Sequence, residues 1–123
     1  MKKSNLILTV DDEKDIRDSV KDVLEDANFK VETAENGKSM LKKLEKIKPD
    51  LILLDVLMPG LTTKEILTEL KKRKNKVPII FLTVVRFAEA TKKDIIKGNM
   101  VDYIEKPFKN EDLIKRVKKG IKK

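Results

Sequence analysis

Apolar and polar positions along this chain keep two rhythms that alternate from end to end. Asn5 to Val10 reads as a buried strand, after which Ile16, Val20, Val23, Leu24 and Ala27 recur at helical steps on one face. Lys30 to Ala34 alternates polar and apolar, as an edge strand does. Met40, Leu41, Leu44 and Ile47 return to helical spacing, and Pro49 stops them. Asp50 to Leu54 is apolar after its first residue, the pattern of a central strand covered on both faces. Pro59-Gly60 breaks the chain, and Ile66, Leu67 and Leu70 mark a third helix. Thr62, with Glu65 three residues on, offers that helix a capping box. Val77 to Leu82 is a further apolar strand, followed by a weaker helix from about Ala88 to Lys97 that ends near Gly98-Asn99. Val101 to Ile104 is the last strand, and Leu113, Ile114, Val117 and Ile121 line one side of the closing helix.

Strands that alternate with single helices predict a parallel sheet with right-handed crossovers and helices on both faces. The expectation is a doubly wound α/β fold of five strands and five helices. At 123 residues the chain fits one domain, residues 1–123, with no internal repeat, low-complexity tract or linker.

The same pattern places the chemistry. Asp11 and Asp12 follow the first apolar run, Asp55 the third, and Lys106 the last. Parallel strands bring such ends to one rim, where open α/β sheets bind ligands. Three crowded carboxylates repel one another unless a cation holds them, so the arrangement predicts a metal. Composition narrows the options. Without cysteine, disulfides and thiolate sites are excluded; without histidine, the commonest general base and the usual zinc ligand are gone. Chemistry must therefore run on carboxylates, lysine, hydroxyls and backbone amides.

Lys+Arg number 29 against Asp+Glu 21, a net charge of +8 that invites a nucleic-acid reading. The excess is concentrated in Lys71 to Lys76 and in the tail from Lys115 to Lys123. The first run suits a helix C-terminus, and the second the polar face of the closing helix. With few aromatics, solvated surface is the better account, and nucleic acid is not expected as a partner. No apolar stretch approaches a bilayer span, and Met1-Lys2-Lys3-Ser4 leads straight into a strand. A cytoplasmic protein with no membrane contact is expected.

Asp11-Asp12-Glu13, Asp55-Val56-Leu57-Met58-Pro59-Gly60, Leu82-Thr83 and Asp102-Tyr103-Ile104-Glu105-Lys106-Pro107-Phe108 together resemble the motifs of the response-regulator receiver family. The similarity runs from about Asn5 to the end of the last helix, with the motifs in the family's order. Singly, each has an ordinary explanation: aspartate starts loops and caps helices, Lys-Pro makes turns, threonine ends strands, and a lone tyrosine sits half-buried. Jointly they imply a flavodoxin-like sheet of order 2-1-3-4-5.

The resemblance also implies roles. Asp55 is the phosphoacceptor, and Mg²⁺ is held directly by Asp12 and Asp55, through water by Asp11, and by the Leu57 carbonyl. Lys106, preceding an expected cis proline, serves a phosphoryl oxygen or, before phosphorylation, Asp55 itself. The Thr83 hydroxyl and the Val84 amide bind the other phosphoryl oxygens, and Thr83 and Tyr103 form a coupled switch. Glu13 has no assigned role.

Three departures from the family pattern stand out. Thr62-Thr63 replaces the usual Asp-Gly turn. Asn99 replaces a glycine before the last strand, a change expected to matter little because asparagine tolerates a left-handed backbone. Leu57, Val84 and Val85 put hydrocarbon where smaller or polar groups are common, which is expected either to impede the water that hydrolyses an aspartyl phosphate or to slow phosphorylation from small donors.

The expected function is a stand-alone receiver. It is phosphorylated by a sensor histidine kinase or a histidine phosphotransfer protein, and its output is a changed affinity for a partner protein. Rival readings are a degenerate receiver acting as an interaction module, a Mg²⁺-dependent phosphatase with an aspartate nucleophile, and a nucleic-acid binder. The phosphatase reading lacks the second aspartate two residues after Asp55, where Leu57 stands.

Overall fold

Largely apolar runs form β1 (Leu6–Val10), β3 (Leu51–Asp55) and β4 (Ile79–Thr83), and more mixed segments form β2 (Lys30–Ala34) and β5 (Met100–Glu105). Helices α1 (Lys14–Asp26), α2 (Gly37–Lys43), α3 (Thr63–Lys72) and α4 (Asn110–Ile121) accompany them. The structure, a computed structural model, describes residues 5–55, 63–83 and 99–121. The expected helix from Ala88 to Lys97, the Pro59-Gly60 break and the Thr62 cap lie outside the described residues. Every pairing is parallel, in the order β2-β1-β3-β4-β5. This is the doubly wound sheet expected, including the order that only the resemblance supplied.

Alternate side chains of each strand go to opposite faces and sort the core into two layers. Leu8, Val10, Ile52, Leu54, Ile79 and Phe81 pack with Met40 and Leu41 of α2 and Ile66 and Leu70 of α3. Ile7, Leu51, Leu53, Ile80, Leu82 and Ile104 pack with Val20 and Leu24 of α1 and Leu113 and Val117 of α4. β3 is buried along its whole length, as the unbroken apolar run required. Each fully buried Leu or Ile contributes about 1.5–3 kcal/mol, far more than the helix propensity of any one residue. Packing therefore fixes the architecture. Gly120 lets α4 approach closely, since a Cβ there would lie 2.7 Å from Leu51 Cδ1 and 3.3 Å from Ile80 Cδ1.

Two elements are shorter than their apolar patterns. α2 ends at Lys43 although Leu44 and Ile47 continue the helical spacing. The Glu45 and Lys46 amides bond three residues back, to the Lys42 and Lys43 carbonyls, which tightens and ends the helix. The Leu41 carbonyl, which a longer helix would give to Glu45, accepts from Arg73 at 2.9 Å instead. β4 starts at Ile79 rather than Val77; Pro78 has no amide to give a ladder, although its carbonyl accepts from Ile52 at 3.0 Å.

Helix ends follow the Schellman pattern twice. Asn28 (φ 73°) and Lys74 (φ 56°) take the left-handed conformation after α1 and α3. The next amides, of Phe29 and Asn75, reach back to the Leu24 and Leu70 carbonyls at 3.0 and 2.9 Å. Asn99 matters more than expected, through its side chain: the amide donates to the Asn75 and Val77 carbonyls at 2.9 and 2.8 Å. It thereby ties the loop before β4 to the start of β5.

Both outer strands have an outward carbonyl covered by a cation from the adjoining helix. Lys43 Nζ donates to the Thr33 carbonyl of β2, and Arg116 Nη1 donates to the Tyr103 carbonyl of β5 at 3.1 Å. The Tyr103 amide donates to Asp102 Oδ1 at 2.8 Å, and Arg116 Nη1 holds both Asp102 oxygens at 2.9 and 3.1 Å. Burial works against the Arg116 charge, but Asp102 and Asp112 beside it hold the guanidinium above its ordinary pKa. No helix among the described residues is long and apolar enough to cross a membrane.

Candidate functional site

In-register strands end nearly flush. Val10 faces Leu54 across β1 and β3, Asp55 faces Leu82, and Thr83 faces Glu105. Residues from remote parts of the sequence therefore meet at one rim. Asp11 follows the last residue of β1, Asp55 is the last of β3, Thr83 ends β4, and Lys106 follows β5.

Carboxylate oxygens of Asp11, Asp12 and Asp55 lie within 4.8 Å of one another. Asp11 is fully buried, Asp55 is 5% exposed, and Asp12 faces solvent. Lys106 Nζ lies 3.1 Å from Asp11 Oδ2 and 3.6 Å from Asp55 Oδ2, its side chain largely buried between them. The expectation paired Lys106 with Asp55 alone; the structure gives its closer contact to Asp11. The Lys106–Pro107 peptide is cis, as the resemblance implied.

Asp11 is held on every side. Its amide donates to the Ala34 carbonyl of β2 at 3.1 Å, and its Oδ1 accepts from the Glu13 amide at 3.0 Å. Its own carbonyl accepts from Arg17 Nη1 at 2.7 Å. Glu13, unassigned from the sequence, is the N-cap of α1, and its carbonyl accepts from the Arg17 amide at 3.0 Å. Asp11 thus does the local work of ordering the helix start while presenting its second oxygen to the cluster. The capping account and the ligand account of this aspartate coexist.

Three carboxylates against one ammonium leave two negative charges, the complement of one divalent cation. Like charges about 4 Å apart repel by about 4 kcal/mol at an effective dielectric near 20. The donor set is oxygen only, which suits a hard cation such as Mg²⁺. A cleft of about 630 Å³ opens beside the cluster, running from Asp12 and Asp55 past Lys106 to Ile16 of α1 and to Pro107 and Phe108. A group docked there reaches the Asp55 carboxylate.

Tyr103 is half-buried in β5, opposite Phe81, and packs against the α2–α3 layer of the core. The Thr83 backbone closes β4, but its side chain lies outside what is described, as do Leu57, Val84 and Val85. Arg17 is the residue that sequence reasoning passed over. The available signal was an arginine one helical turn after the acidic loop, a spacing that brings its side chain back over the helix start.

The family model of the response regulator receiver domain matches residues 7–118 of this chain. The transcriptional regulatory protein ResD of Bacillus subtilis is 38% identical over 112 residues, covering 91% of this chain and 46% of ResD. The alkaline phosphatase synthesis transcriptional regulatory protein PhoP of the same organism is 39% identical with the same coverage. The chain thus spans about half the length of the curated relatives it matches. Among solved structures, the chemotaxis response regulator CheY4 of Vibrio cholerae superposes with a TM-score of 0.85 at 31% identity, over 95% of this chain and 98% of that one. The Francisella response regulator 1452 receiver domain gives 0.86 at 29% identity, over 97% and 98%.

Proposed function

This chain belongs to the response regulator receiver family, and from that membership we propose that Asp55 is the residue through which it is switched. The donor is a phosphohistidine on a sensor histidine kinase or a histidine phosphotransfer protein. A carboxylate oxygen of Asp55 attacks phosphorus, the P–N bond breaks, and an aspartyl phosphate remains while the freed imidazole takes up a proton. The reaction is largely positioning and charge neutralisation. Mg²⁺, when held by Asp11, Asp12, Asp55 and the Leu57 carbonyl, supplies positive charge beside the phosphoryl oxygens.

This chain's own groups do the rest. Lys106, seated between Asp11 and Asp55, has a phosphoryl oxygen to pair with once Asp55 is modified. The Thr83 hydroxyl and the Val84 amide donate to the others, and Tyr103 changes exposure as Thr83 moves. In this reading the chain assists its own phosphorylation and dephosphorylation, is regulatory in role, and acts in the cytoplasm. Its output is an altered affinity for a partner protein. Moving such a switch from about 1% to about 99% active takes roughly 5.5 kcal/mol of differential stabilisation. Contacts from a phosphoryl group to Mg²⁺, Lys106 and backbone amides in a part-buried site are the source of that energy.

The observation that carries this reading is the Lys106 ammonium lying within 3.6 Å of two buried carboxylates at the ends of different strands, with a third beside them. A complete acidic set is what a degenerate receiver lacks. The test is mass spectrometry after incubation with acetyl phosphate and Mg²⁺. One phosphoryl group is expected on the parent and none on Asp55→Asn; equal labelling of both discards Asp55 as the acceptor. Leu57→Asn is expected to shorten the lifetime of the phosphorylated form, measured by the loss of that mass with time, because it replaces hydrocarbon with a group that orients water.

A further inference from the structure

Arg17 stands one turn into α1, half-buried, with no part in the chemistry above. Its Nη1 donates to the Asp11 backbone carbonyl at 2.7 Å, a short charge-assisted bond. That carbonyl belongs to the peptide joining Asp11 to Asp12. The Asp11 amide, Oδ1 and Oδ2 are fixed by Ala34, Glu13 and Lys106, so Arg17 closes the last polar group of this residue. Asp12, by contrast, is exposed. Rotation of the Asp11–Asp12 peptide is the motion that would carry its carboxylate away from Asp11 and Asp55, and the guanidinium opposes that rotation.

We propose that Arg17 is a positioning residue for the divalent cation: it holds the Asp11–Asp12 peptide so that the three carboxylates converge. The proposal rests on the phosphoacceptor reading above. Its sign is distinctive. A guanidinium near an acidic pocket repels an incoming cation, so charge alone predicts that neutralising Arg17 tightens Mg²⁺ binding. Weaker binding after that change must come from lost orientation.

The experiment is titration calorimetry of Mg²⁺ into the full chain at constant ionic strength, for the parent, Arg17→Met, Arg17→Lys and Lys14→Met. Losing an outer partner of a metal ligand typically costs about tenfold or more in affinity, so Arg17→Met is expected to raise Kd about tenfold. Arg17→Lys keeps the charge but has a shorter reach, and is expected to fall between Arg17→Met and the parent. Lys14→Met removes a cation of the same helix that pairs in solvent with Asp18; its Kd is expected to stay equal or fall slightly. A merely structural role would lower the unfolding temperature of the metal-free variants and leave Kd alone.

Mg²⁺ binding by Arg17→Met as tight as or tighter than the parent's overturns the proposal. If that variant does not fold, parent-like binding by Arg17→Lys overturns it. A parent that binds no Mg²⁺ overturns the phosphoacceptor reading and this inference with it, whereas a parent that binds beside an indifferent variant overturns the inference alone.

Discussion

Asp11 commits its amide, its carbonyl and both carboxylate oxygens to three other segments of the chain: β2, the first turn of α1 with its cap, and the lysine after β5. Thr9, two residues earlier, does the opposite. Its Oγ1 is fully buried without a hydrogen-bond partner, a state that costs about 1–3 kcal/mol. Thr9→Val keeps the shape and removes the hydroxyl, so it is expected to stabilise the protein by about 1 kcal/mol or more, read as a higher urea midpoint at unchanged slope. Lys74 carries a side chain in a left-handed conformation, which costs about 1–2 kcal/mol. Lys74→Gly is expected to recover about 1 kcal/mol of this, seen in the same denaturation. At this scale the acidic residues and Lys106 were legible because each ends an apolar run. Arg17 and Asn99 were not, because their side chains bond backbone carbonyls whose positions exist only after the chain has folded.

At the scale of elements, apolar spacing located every strand and helix among the described residues and misjudged some ends for one reason: apolarity reports burial, not hydrogen bonding. Val77 is buried yet precedes β4, and Leu44 packs against the core after α2 has ended. The close seat of α4 was equally invisible in the pattern, since it depends on what faces Gly120. Gly120→Val is expected to destabilise the protein by about 1–3 kcal/mol through overpacking against Leu51 and Ile80. A fall in thermal midpoint without loss of Mg²⁺ affinity is the expected result; an unchanged midpoint would mean α4 can shift outward at no cost.

For the molecule as a whole, periodicity announced alternating strands and helices but carried nothing about which strands are neighbours. The order β2-β1-β3-β4-β5 came from the resemblance of the motifs, and it is what unites Asp11, Asp55 and Lys106. A ligand that binds only the folded chain stabilises it, by about 2.7 kcal/mol at a hundred times Kd. Adding Mg²⁺ to the metal-free parent is therefore expected to raise its unfolding temperature, and Asp55→Asn to shrink that rise. A parent whose midpoint ignores Mg²⁺ would contradict the assignment of the acidic rim. The rim has a counterpart at the flanks of the sheet, where Lys43 and Arg116 each cover a carbonyl of the outer strands β2 and β5. A naked border strand is a template on which another chain can zip up. Here one carbonyl on each border is capped by a cation from the molecule itself, which leaves a shorter template for the edge-to-edge stacking that seeds fibrils.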